Sequence, residues 1–162
     1  RSVLTADGEP LGRYPFQIQQ RFDPGAIYLV QNAMQRTMRE GTGRSVYSQL
    51  PSSLNLAGKT GTSNDSRDSW FAGFSQDVLA VVWLGRDDNA QIGLTGASGA
   101  LGVFSRFYSL KGANSLVRAM PEQVSLQAFS LKTGYAVSQS CLNILLLPAI
   151  SVEMPADSEC IN

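Results

Sequence analysis

The sequence predicts a mixed α/β fold of the α+β kind: an antiparallel sheet flanked by helices, then a small C-terminal β appendage. Three observations carry that expectation. Strand-like segments follow one another across turns too short for crossover helices, which requires antiparallel pairing. Two other segments repeat apolar residues at spacings of three and four, the helical period. From about Asn114 onward the texture becomes alternating and turn-rich, so we expect one unit over residues 1–113 and an appendage over 114–162.

Residues 3–22 alternate loosely (Val3, Leu4, Leu11, Tyr14, Phe16, Ile18, Phe22) around the turn-forming ADGEPLG and should make an extended hairpin-like arm. Asp23-Pro24 reads as a helix start, with Asp as N-cap and Pro at the first helical position. Ile27, Val30, Met34 and Met38 then recur at helical spacing, Leu29 and Ala33 widen the stripe, and Gly41 stands where a C-terminal cap belongs. GTGRSVYSQLPSSL is punctuated as a loop. Three strands are expected next, in LNLAGKTGT, DSWFAGFSQ and VLAVVWLGRD, with Gln76-Asp77 turning between the last two. Trp70 and Phe71 read as core aromatics. The uninterrupted apolar run 78–84 suits a central strand covered on both faces. GASGALGVFSRFYSLKG reads as a second helix. Ala97, Gly99, Ala100 and Gly102 would allow close approach to the sheet, with Leu101, Phe104, Phe107 and Tyr108 as anchors. Its glycines weaken the N-terminal half, so packing must hold it.

Composition excludes several classes. Lys and Arg (13) balance Asp and Glu (13), so there is no basic field for nucleic acid or an anionic membrane. No run of about 20 apolar residues could span a bilayer, and no signal peptide is recognisable. The opening RSVLTADGEPLGRYP has no initiating Met and reads as the interior of a longer protein. Histidine is absent, which removes Ser-His-Asp and Cys-His catalysis and leaves Lys, Tyr or a carboxylate as any base. Cys141 and Cys160 lack nearby metal-ligand types, so no metal site is expected. They are either a disulfide formed in an oxidising compartment or two ordinary thiols.

The triplet Lys-Thr-Gly occurs twice, at 59–61 and at 132–134. On a strand, Lys59 and Gly61 share one face and Thr60 and Thr62 the other. A lysine there supplies a compact cation for a carboxylate, threonine hydroxyls can donate to the same group, and Gly61 admits close approach of another element. An edge strand would also leave N–H groups free for an extended substrate or an oxyanion. A bare triplet is more often just a turn with a solvated lysine. A phosphate-binding loop ending in GKT would need glycine at position 53, which is Ser53. The second copy, in FSLKTGYAV, lies between alternating segments where Thr-Gly is ordinary hairpin-turn chemistry.

Context lifts the first copy above that baseline. K-T-G accompanies S-x-x-K and S-D-N in serine β-lactamases and penicillin-binding proteins. LAGKTGTSN, followed by DSWFAGF and VVWLGRDDN, with MQRTMREGTGR upstream and GASGA downstream, strongly resembles the transpeptidase domain of class A penicillin-binding proteins over roughly residues 1–112. The tail, with its two cysteines flanking LLLP, resembles more loosely the C-terminal extension of a Gram-negative subgroup of that family.

The resemblance implies the C-terminal half of a penicillin-binding transpeptidase, in a serine β-lactamase-like fold, from a bifunctional enzyme that polymerises and cross-links peptidoglycan. Lys59 would support the proton network of the catalytic serines and attract the substrate carboxylate. Thr60 and Thr62 would hydrogen-bond that carboxylate beside Gly61, and the Thr62 N–H would donate to the oxyanion. Partners would be peptidoglycan stem peptides, β-lactam antibiotics and the missing N-terminal half of the domain. No cofactor is implied. The parent would be anchored in the inner membrane with this part in the bacterial periplasm. No Ser, Thr or Cys stands three residues before a Lys, so the S-x-x-K nucleophile lies outside this chain, which alone should be inactive. Ser53-Leu54-Asn55 has the S-x-N form but lies too close to Lys59 and reads as chance. A non-catalytic docking module and a serine β-lactamase are the alternatives.

Overall fold

The computed structural model describes residues 2–13, 17–150 and 160. The arm is present as β1 (Ser2–Leu4) and β2 (Pro10–Arg13), antiparallel around a turn whose Gly8 takes φ +84°. Tyr14 and Phe16 lie outside the described residues. Helix α1 (Pro24–Arg39) starts where expected: Asp23 Oδ1 accepts from the Ala26 N–H at 2.8 Å and Pro24 occupies the first turn. The Gly41 N–H closes the far end on the Thr37 carbonyl.

Three strands follow in a meander, β3 (Ala57–Thr62), β4 (Ser69–Phe74) and β5 (Leu79–Leu84), forming an antiparallel sheet in the order β3-β4-β5. Helix α2 (Ala100–Lys111) packs back on β4 and β5, while α1 packs beside β3. Between sheet and helices sits the main core, with Met38, Leu56, Phe71, Leu101, Phe104 and Tyr108 at its centre. Phe71 and Phe104 meet at 4.6 Å between ring centroids, and the Tyr108 hydroxyl donates to the Val78 carbonyl at 2.6 Å.

The appendage forms its own sheet. Strands β6 (Val124–Ser130), β7 (Ala136–Val137) and β8 (Ile144–Ile150) lie in the order β7-β6-β8, all antiparallel, over a small cluster of Ala128, Val137 and Cys141. Strand β8 also packs on α1. Gln123 Nε2 donates to both Asp23 carboxylate oxygens at 2.8 and 2.9 Å, tying the appendage to the start of that helix.

Four expectations need correction. The run 78–84 is not a strand covered on both faces. β5 is the end strand of this sheet, with Leu79, Val81 and Trp83 exposed, because no described residue covers that side. Trp70 is not a core aromatic; it stands on the same outer face, 6.1 Å from Trp83, whereas Phe71 is fully buried on the other. On α1 the buried positions are Gly25 and Met38, and Val30 is exposed, because β3 and β8 cover only part of its circumference. On α2, Phe107 is exposed and Gly102 faces open space; close approach is made by Gly99, as expected, and by Gly96, both before the helix begins.

Candidate active site

Strand β3 pairs only with β4 among the described residues, so one of its edges is free. Its register continues past the strand end, where the Ser63 N–H donates to the Asp68 carbonyl at 3.2 Å. Antiparallel pairs alternate between hydrogen-bonded and non-hydrogen-bonded positions. The odd-numbered residues therefore bond to β4, and Thr60 and Thr62 direct both N–H and C=O to the open edge. The Lys59 ammonium agrees with this geometry, donating to the outward Thr60 carbonyl at 2.8 Å. A cation thus lies along the same edge as two unclaimed backbone donors.

The side chains divide as the alternation requires. Lys59 and Gly61 stand opposite Ala72 and Trp70, while Thr60 and Thr62 stand opposite Phe71 and Ser69. Thr60 Oγ1 lies 2.8 Å from Thr42 Oγ1, one hydroxyl donating to the other. Thr62 Oγ1 accepts from the Gly96 N–H at 2.9 Å, which leaves its own proton to donate elsewhere. Behind Thr62, fully buried Ser69 donates to the Thr95 carbonyl at 2.7 Å and accepts from the Ala100 N–H at 2.9 Å, fastening the start of α2 to β4.

Thr42, Ser69 and Gly96 were not legible as site residues. Thr42 lies in EGTGR and Gly96 in LTGAS, segments whose sequence signals only turns. Ser69 becomes recognisable once the register sets it opposite Thr62.

The other sequence features fall away from this edge. In the second triplet, Leu131, Lys132 and Thr133 turn from β6 toward β7, with Gly134 at φ +74° and its N–H on the Ser130 carbonyl at 2.8 Å, as hairpin chemistry requires. Ser53-Leu54-Asn55 is held in a loop by Arg39, which donates to the Ser52 carbonyl, to the Leu54 carbonyl at 3.0 Å and to Asn55 Oδ1 at 2.6 Å. Its partners make it a structural loop. Cys141 and Cys160 form a disulfide with Cα atoms 5.2 Å apart. Among the described residues no cluster of three or more His, Cys, Asp or Glu is arranged for a metal, and no helix is long and apolar enough to cross a membrane.

The outer face of the sheet, on the Lys59 side, is unusually apolar for a surface: Trp70, Leu79, Val81 and Trp83 are all exposed. Trp83 Nε1 donates to Asp68 Oδ1 at 2.9 Å. That bond, with help from the Ser63 hydroxyl, holds the Asp68 carboxyl below its usual range. A cavity of about 470 Å³ lies instead between α1 and β8, lined by Leu29, Ala33, Leu145 and Pro148 among others. None of its lining residues belongs to β3.

No protein-family model matches the chain. It is 38% identical over all 162 residues to penicillin-binding protein 1B of Vibrio cholerae and spans 21% of that protein. It is 37% identical over 125 residues, 77% of the chain, to penicillin-binding protein 1B of Escherichia coli, of which those residues make up 15%. A crystal structure of penicillin-binding protein 1A from Haemophilus influenzae superposes with a TM-score of 0.67 at 21% identity, covering 79% of this chain and 20% of that one. That likeness shows the fold, a transpeptidase-type mixture of antiparallel sheet and helices. The chain spans about a fifth or less of the length of these relatives.

Proposed function

This chain is a segment of a class A penicillin-binding protein, similar to the 1B type, and from that premise we propose that it forms one wall of a peptidoglycan D,D-transpeptidase centre. Residues 1–113 are the C-terminal half of the transpeptidase domain and 114–162 a C-terminal extension. The observation that carries this reading is the free edge of β3, with Thr60 and Thr62 backbone groups directed outward and the Lys59 ammonium lying along them.

The chemistry follows from what such an edge can hold. An extended stem peptide ending in D-Ala-D-Ala lies beside β3 as an added strand. Its terminal carboxylate is met by the Lys59 charge and by the hydroxyls of Thr60 and Thr62. A serine from polypeptide outside this chain attacks the penultimate D-Ala carbonyl, and the Thr62 N–H donates to the resulting oxyanion. An oriented donor of this kind is worth a factor of about 10²–10³ in turnover. Cleavage of the C–N bond releases D-Ala with the proton of the serine, leaving an ester. The amine of a neighbouring stem then takes the acyl group, forming the cross-link. β-Lactams enter as acylating mimics, and no cofactor takes part. The exposed outer face around Trp70 and Trp83 lies against the same missing polypeptide. The parent sits in the inner membrane with this segment in the periplasm, a compartment consistent with the Cys141–Cys160 bridge.

The experiment is acylation of the complete protein by a fluorescent penicillin, with mass-spectrometric mapping of the modified residue. We expect one acylated serine, outside residues 1–162. Absence of acylation, or a label on a residue of this chain, overturns the proposal.

A further inference from the structure

The Thr42 hydroxyl lies 2.8 Å from that of Thr60, across a sequence separation of 18, and makes no other hydrogen bond among the described residues. Packing beneath the pair fixes this meeting. The Gly41 and Gly43 N–H groups both donate to the Thr37 carbonyl at 3.1 Å, folding the turn that carries Thr42 back on the end of α1. A Cβ on Gly43 would stand 2.6 Å from Met38 Sδ, and one on Gly58, the neighbour of Lys59, 3.0 Å from the same sulfur. Met38 is fully buried, so the turn and the strand rest on one immobilised side chain.

The protons of this pair can be counted. A threonine hydroxyl has one proton and two acceptor lone pairs, an ammonium has only protons, and a carboxylate only lone pairs. Lys59 Nζ stands 3.5 Å from Thr60 Oγ1, long for a hydrogen bond but near enough for its charge to draw a lone pair toward it and turn the hydroxyl proton away. That proton goes either to Thr42 Oγ1 or to a ligand at the open edge of β3. A carboxylate at the edge claims it, and the bond between the threonines must then run from Thr42 to Thr60. Were the proton given to Thr42 instead, the Thr60 side chain would have nothing to offer an anion.

We propose that Thr42 is a positioning residue for the substrate carboxylate: by donating to Thr60 Oγ1 it commits the Thr60 proton to the open edge and holds that hydroxyl toward the bound anion. The relay from Thr42 to Thr60 to carboxylate is complete only when the anion arrives, and each bond then polarises the next. Thr42 acts through Thr60 and not on the reacting atoms. The inference rests on the transpeptidase reading above, in which Thr60 meets the terminal carboxylate of a stem peptide or a β-lactam.

The test is a double-substitution cycle in the complete protein, read as the second-order rate of acylation by a fluorescent penicillin, with melting midpoints checked for each variant. Thr42 is exposed, and Thr42→Val keeps its shape while removing the hydroxyl. That change should slow acylation by about three- to tenfold, the worth of one neutral hydrogen bond. Thr42→Ser restores the donor and should stay within about twofold of the parent. In a Thr60→Val background, Thr42→Val should cost less than about twofold, because the residue it acts through is gone. A merely structural role would give the same loss in both backgrounds. A parental rate in Thr42→Val, an equal loss in Thr42→Ser, or losses that multiply in the double variant overturn the proposal. A parent that penicillin does not acylate overturns the transpeptidase reading and this inference with it, so the two failures are told apart.

Discussion

The Gly96 N–H donates to Thr62 Oγ1 at 2.9 Å, so the turn entering α2 is fastened directly to the strand that carries Lys59. The approach is close enough to exclude a side chain. A Cβ on Gly96 would stand 2.5 Å from the Trp70 carbonyl oxygen and 2.6 Å from that of Gly61. Both are backbone atoms of paired strands, which cannot swing aside as a flexible side chain does. Gly96→Ala must therefore displace the turn or the strand. In the complete protein we expect a loss of about 1–3 kcal/mol in denaturant melts, the usual cost of overpacking. Penicillin acylation should slow as well. Parental stability and parental acylation together would show that this contact does not set the position of β3.

Lys59 offers a cleaner separation of site from scaffold. It is exposed, and among the described residues its ammonium bonds only to its neighbour Thr60. Lys59→Ala should leave the melting transition within about 0.5 kcal/mol of the parent, as surface changes usually do. Acylation by a fluorescent penicillin, read as a second-order rate, should fall by about a hundredfold or more as the cation is lost. Unchanged labelling kinetics would remove Lys59 from the assigned role.

Both residues illustrate what the sequence discloses and what it withholds. The strands were legible because apolar runs broken by short polar turns admit only a meander, and α1 because Asp23-Pro24 is an unambiguous cap. The alternation of Lys59 against Thr60 follows from strand geometry alone. Exposure was not legible. The apolar run 78–84 carries the signature of a covered strand, yet Leu79, Val81 and Trp83 face outward, because an apolar run does not encode which face of an end strand meets a helix. Gly96 and Ser69 were invisible for another reason. Their contacts with β3 and α2 join residues about 30 positions apart, and no local period encodes such a meeting.

The Cys141–Cys160 bridge closes a loop of 19 residues in sequence separation beside the small cluster of Ala128 and Val137. On the chain-entropy relation a loop of that size contributes about 3 kcal/mol. Nonreducing peptide mapping should recover the two cysteines as one linked pair. The double variant Cys141→Ser/Cys160→Ser should raise hydrogen exchange in β6–β8 selectively, leaving Phe71 and its neighbours protected. Recovery of two free thiols from protein isolated under oxidising conditions would contradict the bridge and the compartment inferred from it.

Asp23 joins the start of α1 to Gln123 through a charge, and that joint should respond to acid in a definite direction. The Ala26 N–H, then the Gln123 amide, hold its carboxyl below the ordinary value of 3.8. A carboxyl depressed in the folded state binds fewer protons than in the unfolded chain. Its contribution is therefore complete above pH 3.8 and is lost as pH falls through the lowered folded value. Gln123→Leu removes the second of these partners while keeping the helix cap. We expect a carbon-detected NMR titration of Asp23 to give a midpoint below 3.8 in the parent and a higher one in Gln123→Leu. Exchange at the Ala26 amide should rise only in that acid window. An Asp23 midpoint that the substitution leaves in place would mean that Gln123 lies beside the cap without holding it.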